Sequence, residues 1–274
     1  MSSWAAFEVI VATSHRVEKY GGVKLAESAL QQIVDALNEG KLPLLGQHDW
    51  TKPIRTQSLE AQLVKLEDGE LAVRLTGFAD TDDWESAGPI GGMSFTTSEL
   101  LGRAEGLHPE NESLGVAADA GWWEDTVIGK ACSIMSAVAP VDGKRLLQFS
   151  AFDDARVVLE IGYSALATFG PGLGSSAIWD GLKFLLAHRK HRDGLETTPT
   201  RVELTTDLNA GTVVGVIDTR DSDIARQALE TYSKAVEAVD AARRRDTTEK
   251  IVLVWTSADP DRGSWVPLDR GSDE

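Results

Sequence analysis

The sequence predicts an α+β protein in two parts. Three observations carry that reading. Runs of alternating apolar and polar residues interleave with amphipathic helical stretches, turn signals such as Asp68-Gly69 separate the runs, and charge shifts near residue 140. With 274 residues, 42% hydrophobic and 26% charged, the chain is long enough for one large core or two modest ones.

Residues 7–12 form a β-rich run, and residues 24–37 read as an amphipathic helix in which Leu25, Ala29, Leu30, Ile33, Val34 and Leu37 recur at helical spacing before Gly40. Residues 42–47 read as a short strand feeding into His48, Asp49 and Trp50. Residues 59–66 and 71–78 alternate as the arms of a hairpin, because Asp68-Gly69 tolerates the positive φ that a tight turn requires. A loop carrying Asp80, Asp82, Asp83 and Glu85 follows, then a Gly-rich turn at 88–92 that opens into a strand at 93–97. Residues 100–111 read as an exposed loop, and 114–118 and 123–134 as further strands.

Residues 137–144, with Pro140 and the Asp142-Gly143 turn signal, mark the expected boundary, giving domains of 1–140 and 141–274. The first carries 21 acids and 10 bases, the second 22 and 17. The second opens on apolar segments at 146–152 and 157–166. Next comes a helix over 177–191 capped by Ser176, a hairpin from 201–206 and 212–218, a helix over 221–244 and a β run at 250–256. That order fits a smaller α/β accessory module, and the acidic tail after Pro267 reads as disordered.

The charge narrows the function classes. A formal net charge of −16 and a pI near 4.7 argue against partners held by many phosphate contacts, so no nucleic acid and no anionic membrane is expected. The most apolar stretch, 163–186, is interrupted by Pro171, Asp180 and Lys183, which argues against a membrane span. One cysteine, Cys132, and a start without a basic n-region point to the cytoplasm.

The candidate chemistry rests on His48 and Ser94, each at a strand end beside a turn. A serine becomes a nucleophile near neutral pH only with a base, and histidine has the pKa for it. Residues 20–99 resemble phage prohead (capsid maturation) proteases, which share the assemblin-type serine protease fold. The resemblance is carried by the 24–37 helix, the Leu-Leu-Gly-Gln-His-Asp run at 44–49, Pro53, the hairpin across Asp68-Gly69, and the Gly-Gly-Met-Ser-Phe run at 91–95. It implies a β-barrel with flanking helices, His48 as general base and Ser94 as nucleophile. Gly91 and Gly92 would allow close backbone approach. A third group is expected some tens of residues after the serine: His108, Glu112, Asp119 or Glu124, with Asp119 favoured because it ends the strand-like run 114–118. Asp49 is read as a turn or strand-end residue.

No cofactor and no metal is implied. The expected partner is a protein substrate, either a scaffold, the chain itself or a bound partner, and the family's habit of pairing makes a homodimer the corresponding expectation. The rival expectation is an inactive protease-like adaptor, engaged for example in a bacterial antiphage defence system. Phe95-Thr96-Thr97 and the C-terminal module both depart from the family pattern. Remaining features have plainer readings: Trp122-Trp123 as a barrel rim or interface, the basic run 188–192 and Arg243-Arg244-Arg245 as charge at helix C-termini, the acids at 80–85 as a solvated loop, and Cys132 as a core residue. Gly170-Pro171-Gly172-Leu173-Gly174 lacks the Lys-Ser/Thr of a phosphate loop.

Overall fold

The computed structural model describes residues 3–40, 42, 44–46, 49–87, 95–102, 112–149, 155–169, 173–192, 194–195, 198–208, 211–219, 221–242, 251–256 and 263–268. Contacts divide the chain into two units, Met1–Thr97 with Leu147–Asp153, and Ser98–Leu146 with Asp154–Glu274. The boundary expected at residue 140 is therefore corrected. It falls inside one sheet, where the strands Leu114–Asp119 and Val141–Phe149 pair in parallel, Leu114 opposite Val141 and Asp119 opposite Leu146. The second unit is also the larger of the two, where a smaller module was expected.

In the first unit, β1 (Trp4–Thr13), α1 (Glu27–Asn38), β2 (Thr56–Lys65), β3 (Leu71–Asp80) and α2 (Thr81–Ala87) follow one another. The strands form an antiparallel sheet in the order β1-β3-β2. Among the described residues this sheet does not close into a barrel, while the α+β class holds. The hairpin forms where the alternation predicts it, with Lys65 opposite Leu71 and Gly69 at φ +91° in the turn. α1 lays Leu30, Ile33, Val34 and Leu37 on Val11, Ala61, Val73 and Leu75. Each such side chain contributes on the order of 1.5–3 kcal/mol on burial. Asn38 fastens the end of the helix to β2: its carboxamide donates to the Ala61 carbonyl at 3.0 Å and accepts the Ala61 N–H at 2.8 Å.

Two expectations in this unit are corrected. Among the described residues of 42–47, Leu45 forms an isolated bridge to Pro53 in place of the expected strand. The acidic loop is instead α2, because Asp80 accepts the N–H groups of Asp82 and Asp83 at 3.0 and 3.2 Å. Asp82 and Asp83 then sit in the first turn, where the helix dipole favours negative charge. Arg55 neutralises the cluster, pairing with Asp83 at 2.8 Å and with the buried Asp80 at 3.2 Å.

In the second unit, β4 (Phe95–Gly102) enters from the first. It is followed by β5 (Leu114–Asp119), α3 (Asp125–Met135), β6 (Val141–Phe149), β7 (Ala155–Ile161), a 3-10 helix at Tyr163–Phe169, α4 (Leu173–Ala187), β8 (Thr200–Leu208), β9 (Gly211–Thr219), α5 (Ser222–Ala242), β10 (Ile251–Thr256) and β11 (Ser264–Pro267). The sheet order is β11-β10-β9-β8-β7-β5-β6-β4. Three parallel pairs, β5 with β6, β7 with β8 and β9 with β10, are each bridged by one α-helix. The helices α3, α4 and α5 pack on the same face of the sheet, where their buried residues share one core. The core lies there, with Ile128, Leu182 and Tyr232 against Val116, Leu159, Val202 and Val213. Along β7, Val157 and Leu159 face this core and the intervening Arg156 and Glu160 face the other way. There Arg156 pairs with Glu203 of β8 at 2.5 Å, both nearly inaccessible.

Residues 123–134, expected as strand, are mostly α3. Ile128, Ala131 and Met135 are buried at spacings of three and four, and Asp125 opens the first turn. The helix expected from Ala177 with Ser176 as its cap starts at Leu173, which places Ser176 inside it. Gly181 is where α3 and α4 come together: a Cβ there would meet Met135 Cγ at 2.5 Å and the Ala131 carbonyl at 3.1 Å. The tail expected to be disordered lies, from 269, outside the described residues.

Candidate functional site

His48 and Ser94 lie outside the described residues, as do Gly91, Gly92 and His108. Described residues on either side of His48 are joined by backbone hydrogen bonds. Ile54 N–H donates to the Leu44 carbonyl at 3.0 Å, Gly46 N–H to Lys52 at 2.8 Å, and Asp49 N–H to Gly46 at 2.9 Å. Asp49 is buried, and its carboxylate accepts the Thr51 N–H at 2.8 Å and hydroxyl at 2.7 Å. The turn role expected for Asp49 is what it performs. Downstream, α2 ends at Ala87 and β4 begins at Phe95, immediately after Ser94.

Among the candidates for a third catalytic group, Asp119 ends β5 and is fully buried. One carboxylate oxygen accepts the Gly121 N–H at 2.7 Å, while its carbonyl accepts the N–H groups of Trp122 and Trp123 at 2.9 and 3.0 Å. Asp119 thus turns the chain from strand to helix, a structural task that the sequence reading did not assign to it. It belongs to the second unit and the 44–54 loop to the first. Glu124 stands at the N-cap position of α3 and pairs with Lys190 at 2.8 Å, and Glu112 is exposed ahead of β5.

The sequence reading missed a cavity of about 340 Å³ at the carboxyl ends of β5 and β9, lined in part by Trp122, Arg189, Lys190, Arg192, Asp221 and Ser222. The run 188–192 was assigned to the C-terminus of a helix, and one of its members acts there: His188 Nδ1 lies 2.8 Å from the Phe184 carbonyl. The next residues leave the helix. Arg189 holds the following loop by donating to the carbonyls of Thr198 at 2.7 Å and Leu195 at 3.3 Å. The Arg189 and Arg192 guanidinium carbons lie 4.2 and 5.0 Å from the centroid of the Trp122 ring. Trp122 and Trp123 are both buried, which corrects their reading as a rim. Trp123 Nε1 donates to the Leu185 carbonyl at 2.8 Å, whereas Trp122 Nε1 has no acceptor among the described residues.

A second cavity of about 490 Å³ is lined by Asp142, Lys144, Glu160, Thr205 and Asp207, with Lys144 and Glu160 paired across it. Cys132 packs against the core of the second unit, and burial pushes its thiol up to about 11, so it is not a nucleophile near neutral pH. Among the described residues no group of three or more His, Cys, Asp or Glu is placed to hold a metal ion. No described helix is long and apolar enough to cross a membrane. In comparisons with known proteins, no family model, no curated protein and no solved structure matches this chain.

Proposed function

We propose that the protein is a cytoplasmic serine endopeptidase of the prohead-protease type, with its chemistry in the first unit. The supporting observation is the order of described elements around the expected pair: a helix, hydrogen bonds that join residues 44–46 to 49–54 on either side of His48, a β-hairpin, a short helix, and a strand that begins directly after Ser94. In this mechanism His48 takes the proton from Ser94 as the hydroxyl oxygen attacks a peptide carbonyl. The tetrahedral intermediate collapses to an acyl-enzyme, and the protonated imidazole returns its proton to the leaving amine. Water, activated by the same histidine, releases the acid. The substrate is a protein, with the chain itself the first to test.

A second reading, an inactive adaptor with the same fold, is favoured by one observation. The preferred third group, Asp119, spends a carboxylate oxygen on the turn at Gly121. Incubation of the purified chain with itself and with unfolded protein substrates, followed by mass spectrometry, separates the two readings. The protease gives discrete fragments that vanish in Ser94→Ala and His48→Ala. Its rate climbs as pH passes about 6.5, where an ordinary histidine loses its proton. Fragments that persist in both variants, or none from any folded sample, reject the protease in favour of the adaptor.

A further inference from the structure

We propose that the cavity at the carboxyl ends of β5 and β9 is a binding site for a small organic phosphate, held by Lys190, Arg192 and the indole N–H of Trp122. Three positive side chains, Arg189, Lys190 and Arg192, and one carboxylate, Asp221, line a space of about 340 Å³, and a second carboxylate, Glu124, pairs with Lys190. That volume is at the lower end of small-molecule sites. The chain as a whole carries −16, yet distant charge is screened over about 8 Å at physiological salt, while opposite charges in contact are screened far less. The local cations therefore decide which ion enters.

The donors differ in how firmly they are committed. Arg189 is engaged in holding the 195–198 loop and supplies field rather than contact. Lys190 pairs with Glu124 at 2.8 Å, with the Lys190 side chain 35% exposed and that of Glu124 66%. An exposed pair of this kind is weak, and a phosphate competes with it readily. Arg192 stacks toward the Trp122 ring, and a guanidinium offers paired N–H groups to phosphate oxygens.

Trp122 is the independent observation. Its side chain is fully buried, it lines the cavity, and its Nε1–H finds no acceptor among the described residues. A buried donor left unmet destabilises the fold, a cost that a ligand oxygen removes. The location agrees with the general behaviour of α/β sheets, whose ligands sit beyond the carboxyl ends of strands, here beside the first turn of the 21-residue helix α5. A concave site on a strongly acidic protein selects a small phosphate over a polynucleotide, which would carry its remaining charge across the acidic surface.

Calorimetric titration of the full chain at low salt tests this, using inorganic phosphate, pyrophosphate and adenosine monophosphate as probes and circular dichroism to check folding. Saturable 1:1 binding of pyrophosphate or adenosine monophosphate is expected. It should weaken at least tenfold in Arg192→Gln and in Lys190→Gln, and stay within twofold of wild type in Lys234→Gln, which removes an exposed α5 charge outside the cavity. Ser94→Ala should bind as wild type does, so that this proposal and the protease reading fail separately. Three results overturn it: binding of none of the three probes, equal weakening by Lys234→Gln, or tighter binding of a single-stranded oligonucleotide than of pyrophosphate. If either cavity variant fails to fold, the other decides.

Discussion

The two units of this chain invest in stability very differently. Among the described residues, the main core cluster of the first unit contains nine buried side chains, from one helix and a three-stranded sheet. That of the second contains 27, from three crossover helices and a face of an eight-stranded sheet. At about 1.5–3 kcal/mol per buried side chain the second unit has the far larger reserve. Its Arg156 and Glu203 are paired with both side chains out of water, whereas Arg74 and Glu8 of the first unit pair on the surface. The lesson is that the expected chemistry belongs to the lightly built unit, and local opening is easiest where few apolar contacts oppose it.

The buried pair gives the largest expected effect. Glu203→Gln leaves the Arg156 charge without its partner carboxylate and should cost about 3–5 kcal/mol in denaturant unfolding, whereas Arg74→Gln should cost under about 1 kcal/mol. Equal effects would break the comparison. Next, Leu75→Ala in the first core should cost about 2–5 kcal/mol. Amide hydrogen exchange should show the lost protection in β1, β2, β3 and α1, with β7 and β8 unchanged. Protection lost equally in β7 and β8 would mean that the units unfold as one.

These elements were not equally legible in the sequence. The β2–β3 hairpin was, because Asp68-Gly69 fixes a local turn and the arms alternate with period two. α1 and α5 were legible because each carries a single apolar stripe against a polar face, and such a pattern needs no distant partner. α3 was not: its run from Thr126 to Met135 is rich in apolar and small residues, and only the packing of Ile128, Ala131 and Met135 on the sheet separates helix from strand. The unit boundary was hidden for a related reason. β5 pairs in parallel with β6 across an intervening helix, a non-local contact that Pro140 and Asp142-Gly143 do not signal. The cation-lined cavity draws on residues near 122, 190 and 221, and it forms only because the strand order carries the ends of β5 and β9 to one side. Asp119 was legible as a strand end, but its bond to Gly121 was not.

A smaller test returns to the first unit. Asn38→Ala removes both bonds to Ala61 and leaves an N–H and a carbonyl of β2 to find water. It should cost about 1–3 kcal/mol, with Asn38→Asp recovering part of the loss through the Ala61 N–H. The smallest effect is on pH. Bonds from His15 to Asp68, and from Lys24 and Ser14 to Glu70, hold both carboxyls below their ordinary values. Depressed folded values stabilise the fold fully above the ordinary carboxylate range of about 4, and that stability is lost as pH falls through the folded values. Asp68 is exposed and Glu70 is partly so, and Glu70→Gln should flatten the acid limb only slightly.

Labelling of the purified full chain with a fluorophosphonate probe, with the modified residue located by mass spectrometry, tests the central claim most directly. The account predicts one adduct, on Ser94, absent from Ser94→Ala and strongly reduced in His48→Ala. A folded protein that stays unlabelled, or that is labelled on another serine, would contradict it.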